Sequence, residues 1–329
     1  MKKLNKRSVL KALVTALGAA SLVAVTMGSA QAQGFPAKPV RLVVPFPAGA
    51  ATDLAARVVG QQLSAVLGQP FVVDNKPGAG GSIAAMEVIR AAPDGYTLLF
   101  SSNSAISSNV ALLKKIPYDP NKDFSPVAGI GETVLVLMVK ANAPQKTVQD
   151  LVGYAKQRPG KVTAGYGSSS SQVSIAVLNK LGGMETLPVP YKGIPLAVND
   201  VLGGTLDYTF VDAGNALAQS KGGAMRALGV TSPKRTPLAP DWPALAEALP
   251  GFDVTAWFAI VGPAGLPKDV VDKLNATTNA ALAQADLKTK LAGIGIAPMP
   301  MQPDQLKTFI GTEVVKWTRL VKEANIQPE

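Results

Sequence analysis

The sequence predicts an α/β protein in which most strands run parallel, and three observations carry that prediction. Short apolar runs alternate with amphipathic stretches along nearly the whole chain. Polar, glycine-rich loops follow several of those runs directly. The 329 residues are also enough for two lobes, each burying its own core.

In chain order, the first element is not part of the fold. MKKLNKRSVLK carries five basic and no acidic side chains and precedes the apolar run ALVTALGAASLVAV and the tripeptide Ala30-Gln31-Ala32. That is the order of a secretory signal peptide, so residues 1–32 are expected to be cleaved on export. A retained anchor needs about 18 or more apolar residues, and Gly18, Ser21, Thr26 and Gly28 weaken this run.

Strand candidates follow at VRLVV (40–44), FVV (71–73), YTLLF (96–100), VLVLMV (134–139), VTAGY (162–166), DYTFV (207–211), ALGV (227–230) and WFAIV (257–261). Between the first two, Leu54, Val58, Val59, Leu63, Val66 and Leu67 recur at helical spacing. A last helix is expected from 303 to about 325, with Leu306, Phe309, Ile310, Val314, Trp317 and Val321 on its apolar face. The stretches 134–151 and 257–274 resemble each other, each running from strand through a proline-bearing turn into a helix. Matched strands at those points suggest paired crossings between a discontinuous lobe (33–133 and 255–329) and an inserted one (134–254). A coincidental repeat within one domain is the alternative.

Composition narrows the function. Without the leader's five charges the balance is 27 basic against 22 acidic side chains, a net of +5 with no basic run. With only 5% aromatic residues as well, nucleic acid is not an expected partner. There is no cysteine, hence no disulfide and no lipidated N-terminus, and the simplest reading is a protein soluble in a bacterial periplasm. Lacking histidine too, the chain cannot run Ser-His-Asp or Cys-His chemistry or build a His-based zinc site. GAGGSI (78–83) lacks the last glycine of a dinucleotide fingerprint, and no P-loop is present. No cofactor or metal is expected, and catalysis is not supported.

What the chain offers instead is five polar loops after strand candidates: PFPAGAATD (45–53), NKPGAGGS (75–82), SSNSAISSN (101–109), GSSSSQ (167–172) and YKG (191–193). Ligands of open α/β sheets bind at the carboxyl ends of strands, where helix N-termini present unpaired N–H groups. Glycine allows close approach, and Ser, Thr and Asn add neutral donors, which suits a small anion. A hydrogen bond to a charged group contributes about 1.5–3 kcal/mol, so three or four account for micromolar binding. Each loop alone also reads as an ordinary turn, cap or linker, and Lys192 and Asp212 as a surface charge and a strand end; the recurrence carries the argument.

These residues resemble the Bug-type extracytoplasmic solute receptors, the binding components of tripartite tricarboxylate transporters. The resemblance runs from about 35 to 324 and rests on PFPAGAATDLAAR (45–57), VVDNKPGAGGSIAA (72–85), AAPDGYTLL (91–99), the YDP at 118–120, DFSPVA (123–128), VPYKG (189–193), DVLGGTLDYTF (200–210), MRALGVTSPKR (225–235) and GPAGLPKDVVDKLN (262–275), in that order. It implies a type II periplasmic binding protein fold, two lobes with a ligand cleft and paired interlobe crossings. It further implies a monomeric receptor that hands a di-, tricarboxylate or aromatic acid to large and small membrane subunits.

By position, the resemblance places Phe46, Pro47, Ala48, Gly49, Ala50, Ala51, Thr52 and Asp53 in the cleft. It adds Ser101, Ser102, Asn103 and Ser104, then Gly167, Ser168, Ser169 and Ser170, and finally Tyr191, Lys192, Gly193 and Asp212. Backbone N–H groups near 48–52 and the hydroxyls of 168–170 are expected to hold a carboxylate, with Asp212 orienting a donor or water. Two departures stand out. Gly49-Ala50-Ala51 replaces the family's run of glycines, with strain expected wherever φ must be positive. The SSSSQVS run replaces a Gly, Ser and His pattern. A sensor feeding a receptor kinase, a nicotinamide or zwitterion ligand, and an enzyme on the same fold are the alternatives.

Overall fold

β1 (Val40–Val44) is buried at every position but Arg41, as a strand covered on both faces must be. It feeds α1 (Ala51–Leu67), which packs Ala55, Ala56, Val59, Gly60 and Leu63 inward and stops at Gly68, a left-handed cap whose N–H bonds to the Ser64 carbonyl. The small residues, not Val66 and Leu67, set this face, so the expected stripe is rotated; Val66 is 54% exposed.

The computed structural model describes residues 34–328. The expected signal peptide, 1–32, falls outside them. Residues 34–37 form no helix or strand. The elements after α1 are β2 (Phe71–Asn75), α2 (Ser82–Ile89), β3 (Thr97–Ser102), a wide π turn (Ser104–Ser108), α3 (Asn109–Leu112) and β4 (Phe124–Lys140). Then come α4 (Val148–Lys156), β5 (Val162–Tyr166), α5 (Ser169–Gly182), β6 (Thr186–Pro190), α6 (Ile194–Gly203), β7 (Tyr208–Asp212), α7 (Ala213–Lys221), β8 (Met225–Val230) and α8 (Leu245–Ala248). β9 (Thr255–Pro263), α9 (Lys268–Ala283), α10 (Ala285–Gly293), β10 (Ala297–Met301) and α11 (Pro303–Glu323) complete the chain.

The strands are ordered β2-β1-β3-β9-β4-β7-β5-β6, with β8 and β10 also paired to β4. β1 pairs in parallel with β2 and β3, and β5 with β6 and β7. Every pairing made by β4 or β9 is antiparallel. The expectation of mostly parallel strands therefore fails along these two, because each enters its sheet from the opposite end.

β4 is one 17-residue strand shared by two sheets. It pairs with β9 from Phe124↔Pro263 to Val134↔Thr255, then with β7 from Leu135↔Asp212 to Val139↔Tyr208. Gly129 and Gly131 let β10 cross close by: a Cβ at either would lie 2.7 or 2.6 Å from the Met299 or Ala297 carbonyl oxygen. The β4–β9 ribbon is two-faced, since strand side chains alternate. Thr133, Leu135, Ala256 and Phe258 share one face; Trp257 lies on the other.

α11 crosses both sheets. Leu306 and Ile310 pack into the core beside β1, β3 and β9, while Trp317 and Val321 pack into the core beside β5 and β7. Between them the buried Glu313 carboxylate accepts from the Trp257 indole N–H (2.6 Å) and the Trp317 indole N–H (2.9 Å). Among the described residues no helix is long and apolar enough to cross a membrane.

Candidate functional site

Four helices begin at one place between the two sheets. α1 starts after Ala50, α5 after Ser168, α6 after Gly193 and α7 after Asp212. The first turn of any helix leaves N–H groups without intrahelical partners. The Ser168 hydroxyl caps α5 by accepting from the Ser171 N–H, and Asp212 caps α7 by accepting from the Asn215 N–H. α1 and α6 have no side-chain cap. Two N-termini are thus sealed, α1 is open, and α6 offers at most the Ile194 N–H, since Pro195 has none and the Leu196 N–H bonds to the Gly193 carbonyl at 3.2 Å.

These helix starts border an inner chamber of about 50 Å³. Its walls include Phe46, Ala50, Ala51 and Thr52 on one side, Gly167, Ser168, Ser170, Ile194 and Asp212 on the other, with Ser102, Thr133, Leu135, Ala256 and Phe258 as its floor. An outer chamber of about 360 Å³ shares Phe46, Gly167 and Ser168 and adds Gly78–Gly81, Ser169, Tyr191 and Lys192. Among the described residues lining the inner chamber there is no Lys or Arg.

Each jaw is held differently. In the α1 jaw, Asp53 points back into its own loop, accepting from the Gly49 N–H at 3.0 Å, Arg57 Nε at 3.0 Å and Asn75 Nδ2 at 3.0 Å. Burial opposes ionisation of Asp53, but Arg57, Gly49 and Asn75 outweigh it and hold the carboxyl below its usual range. Asp53 shapes the loop rather than lining the chamber. The left-handed position in that loop is Gly49 (φ +83°); Ala50 is extended at φ −68° and Ala51 is helical. The strain expected at Ala50 and Ala51 is absent, because the one residue with positive φ is still glycine.

In the α5 jaw the hydroxyls are already engaged. Ser169 Oγ lies 2.7 Å from Ser104 Oγ and accepts from Ser108 Oγ at 2.6 Å. Ser170 Oγ donates to Asn103 Oδ1 at 3.2 Å. These bonds join the π turn after β3 to the start of α5 and close the cleft. The hydroxyls of Ser168, Ser169 and Ser170, expected to grip a carboxylate, cap a helix or bond across to the π turn, and Ser168 and Ser170 also line the inner chamber. Asn103 and Ser104 belong to this latch and do not line either chamber.

A second closure contact needs glycine. Pro47 sits against Gly193, where a Cβ would lie 2.5 Å from Pro47 Cγ. A third comes from Asn215 Nδ2, which donates to the Gly49 carbonyl at 3.3 Å. Of the other expected residues, Ala48 is exposed, Ser101 is buried with its hydroxyl on the Ser102 carbonyl, and Tyr191 donates to Asp200, which pushes its phenol up to about 12. Lys192 is exposed at the outer chamber. Thr133, Leu135, Ile194, Ala256 and Phe258 were not anticipated; the first two and last two lie on the strands whose internal resemblance suggested crossings.

Two sheets joined by a shared strand, with helix N-termini meeting in the cleft between them, define a two-lobed solute-binding protein. Residues 55–326 match the family model described as "Tripartite tricarboxylate transporter family receptor", and the chain belongs to that family. BugT of Bordetella pertussis is 35% identical over 89% of this chain and 91% of its own. An R. palustris protein solved with adipate superposes with a TM-score of 0.87 at 33% identity, over 90% of this chain and 100% of its own. MatC from Rhodopseudomonas palustris, solved with malate, gives 0.83 at 35% identity, over 87% and 100%.

Proposed function

We propose that the protein is a periplasmic receptor, exported by its 1–32 leader. It captures a small carboxylate between lobes 33–133 with 255–329 and 134–254, and delivers it to a tripartite tricarboxylate-type carrier. The observation that carries this reading is the uncapped helix N-terminus of α1, bordering an inner chamber that the starts of α5, α6 and α7 also line. The lobe boundaries are supported by β4 changing sheets between Val134 and Leu135, and by β9 starting at Thr255. The adipate and malate held by the R. palustris relatives support a carboxylate.

The site residues we assign are Phe46, Ala50, Ala51, Thr52, Ser102, Gly167, Ser168, Ser170, Ile194 and Asp212 around the ligand. Pro47, Gly193, Asn103 and Ser169 close the cleft. The role is binding without turnover. A melting-shift screen of carboxylic acids tests it: a ligand at a hundredfold excess over Kd stabilises by about 2.7 kcal/mol. If no acid raises the midpoint and mass spectrometry of the purified protein finds no bound acid, the reading fails.

A further inference from the structure

The β4–β9 ribbon has a cavity on each of its faces. Thr133, Leu135 and Ala256 turn toward the inner chamber, whereas Glu132, Val134 and Thr255 alternate to the opposite face. That face floors a rear groove of about 280 Å³ between the two proposed lobes. One wall is Glu132, Gly295 and Ala297, and the other is the loop 232–238 that follows β8. Thr133 lines both cavities, so the ribbon alone separates them.

Beside the ribbon the lobes meet backbone to backbone. A Cβ on Gly214, in the first turn of α7, would lie 2.2 Å from the Ile294 carbonyl oxygen. One on Gly295 would lie 2.3 Å from the Gly214 nitrogen. The Thr133 hydroxyl pins Gly295 to the ribbon by donating to its carbonyl at 2.7 Å. Close-packed backbone has no rotamer with which to give way, so this contact acts as a fulcrum. Gly214 follows Asp212, a chamber residue, and Gly295 lines the groove, which puts the fulcrum between the two cavities. A rotation that parts the lobes at the chamber therefore brings them together at the groove.

Opposite charges stand on the two walls of that groove. Glu132 is on the lobe 33–133 side and Lys234 on the lobe 134–254 side, and both are exposed. Among the described residues neither makes an ion pair. The other cation of the loop, Arg235, is already taken, its Nε and Nη2 donating to Glu247 at 2.8 and 2.9 Å.

We propose that Lys234 and Glu132 pair only when the cleft is open, and that this pair holds the ligand-free receptor open. The proposal uses the lobe boundaries of the receptor reading and holds whichever acid the cleft takes. An exposed pair of this kind shifts the open-to-closed ratio by about 1.5-fold to fivefold. A ligand that closes the cleft must break it, so apparent affinity is lower by up to the same factor.

The chain has no cysteine, so one engineered pair reads the motion cleanly. In purified ligand-free protein, Glu132→Cys with Lys234→Cys forms a disulfide on mild oxidation, because opening brings the two positions within reach. The oxidised form has a larger radius of gyration in solution scattering than the reduced form. Charge is tested separately at low salt. Glu132→Lys makes the two positions repel and gives a smaller radius than wild type; Lys234→Glu does the same, and the two combined restore the wild-type radius. Both positions are exposed, so none of these variants loses core packing. No disulfide, a disulfide with no gain in radius, or a radius unmoved by both single reversals overturns the inference. The carboxylate reading stands apart from these outcomes and is decided by the melting-shift screen.

Discussion

The two jaws of the cleft look alike in sequence and work in opposite ways. The serine run 168–171 is rich in hydroxyls, yet those hydroxyls cap α5 or bond across to Ser104, Ser108 and Asn103. The loop before α1 has almost no side-chain donors, yet it leaves a helix N-terminus open. Donor-rich side chains are therefore not necessarily free donors. The donors without an internal partner are the ones most open to a ligand, and at the start of α1 those are backbone N–H groups.

The strongest way to break this contrast is to remove the carboxylate that shapes the α1 jaw. Asp53→Ala deletes bonds to Gly49, Arg57 and Asn75, and should cost about 2–4 kcal/mol of stability, with a loss of ligand affinity of about a hundredfold. Denaturant unfolding and calorimetry read both. Asp53 is held below its ordinary value of 3.8. Its contribution is thus complete above that pH and lost as pH falls through the lower folded value. The gap between wild type and Asp53→Asn should be widest at neutral pH and close progressively in acid. A gap that persists unchanged at the acid end would mean the ionised form does not hold the loop.

Next in size is Gly193→Ala. The backbone there is extended at φ 179°, which alanine accepts, so only the contact with Pro47 is disturbed. Overpacking typically costs about 1–3 kcal/mol, so affinity should drop about tenfold or more while the melting temperature of the unliganded protein barely moves. A parallel loss of both would place Gly193 in the fold rather than in closure.

Ser169→Ala is smaller. It removes one latch residue and should weaken binding by about threefold to tenfold, with a larger radius of gyration in solution scattering of the ligand-free protein. The smallest stability effect belongs to Ala50→Gly with Ala51→Gly, at most about 1 kcal/mol, since neither position needs positive φ. Both line the chamber, so ligand preference should shift more than stability does. Unchanged selectivity would move the ligand away from this jaw.

How far the sequence could be read depended on where each partner lay. β1 and β5 were legible as apolar runs. β6 (TLPVP) and β10 (APMPM) were not, because alternating prolines remove ladder donors; both are edge strands, where the missing donors face outward. The first half of β4 was hidden by Gly129 and Gly131, which exist to admit β10. The loop residues of the site were legible as polar glycine-rich turns after strands. The fate of the serine hydroxyls was not, since their partners are more than sixty residues away in sequence. Thr133 and Phe258 read as ordinary strand interior until the ribbon's two faces were known.

Glu313 gives the molecule a built-in optical gauge. Two of the chain's three tryptophans, Trp257 on β9 and Trp317 on α11, share this one buried carboxylate where the two sheets meet. Indole emission responds to its surroundings, so movement of β5 and β7 past the end of α11 that carries Trp317 changes the environment of that ring. Opening and closing of the cleft should then be readable as a shift in intrinsic fluorescence, with no dye attached, and Glu313→Gln should flatten that signal while leaving the ligand's own binding heat in place.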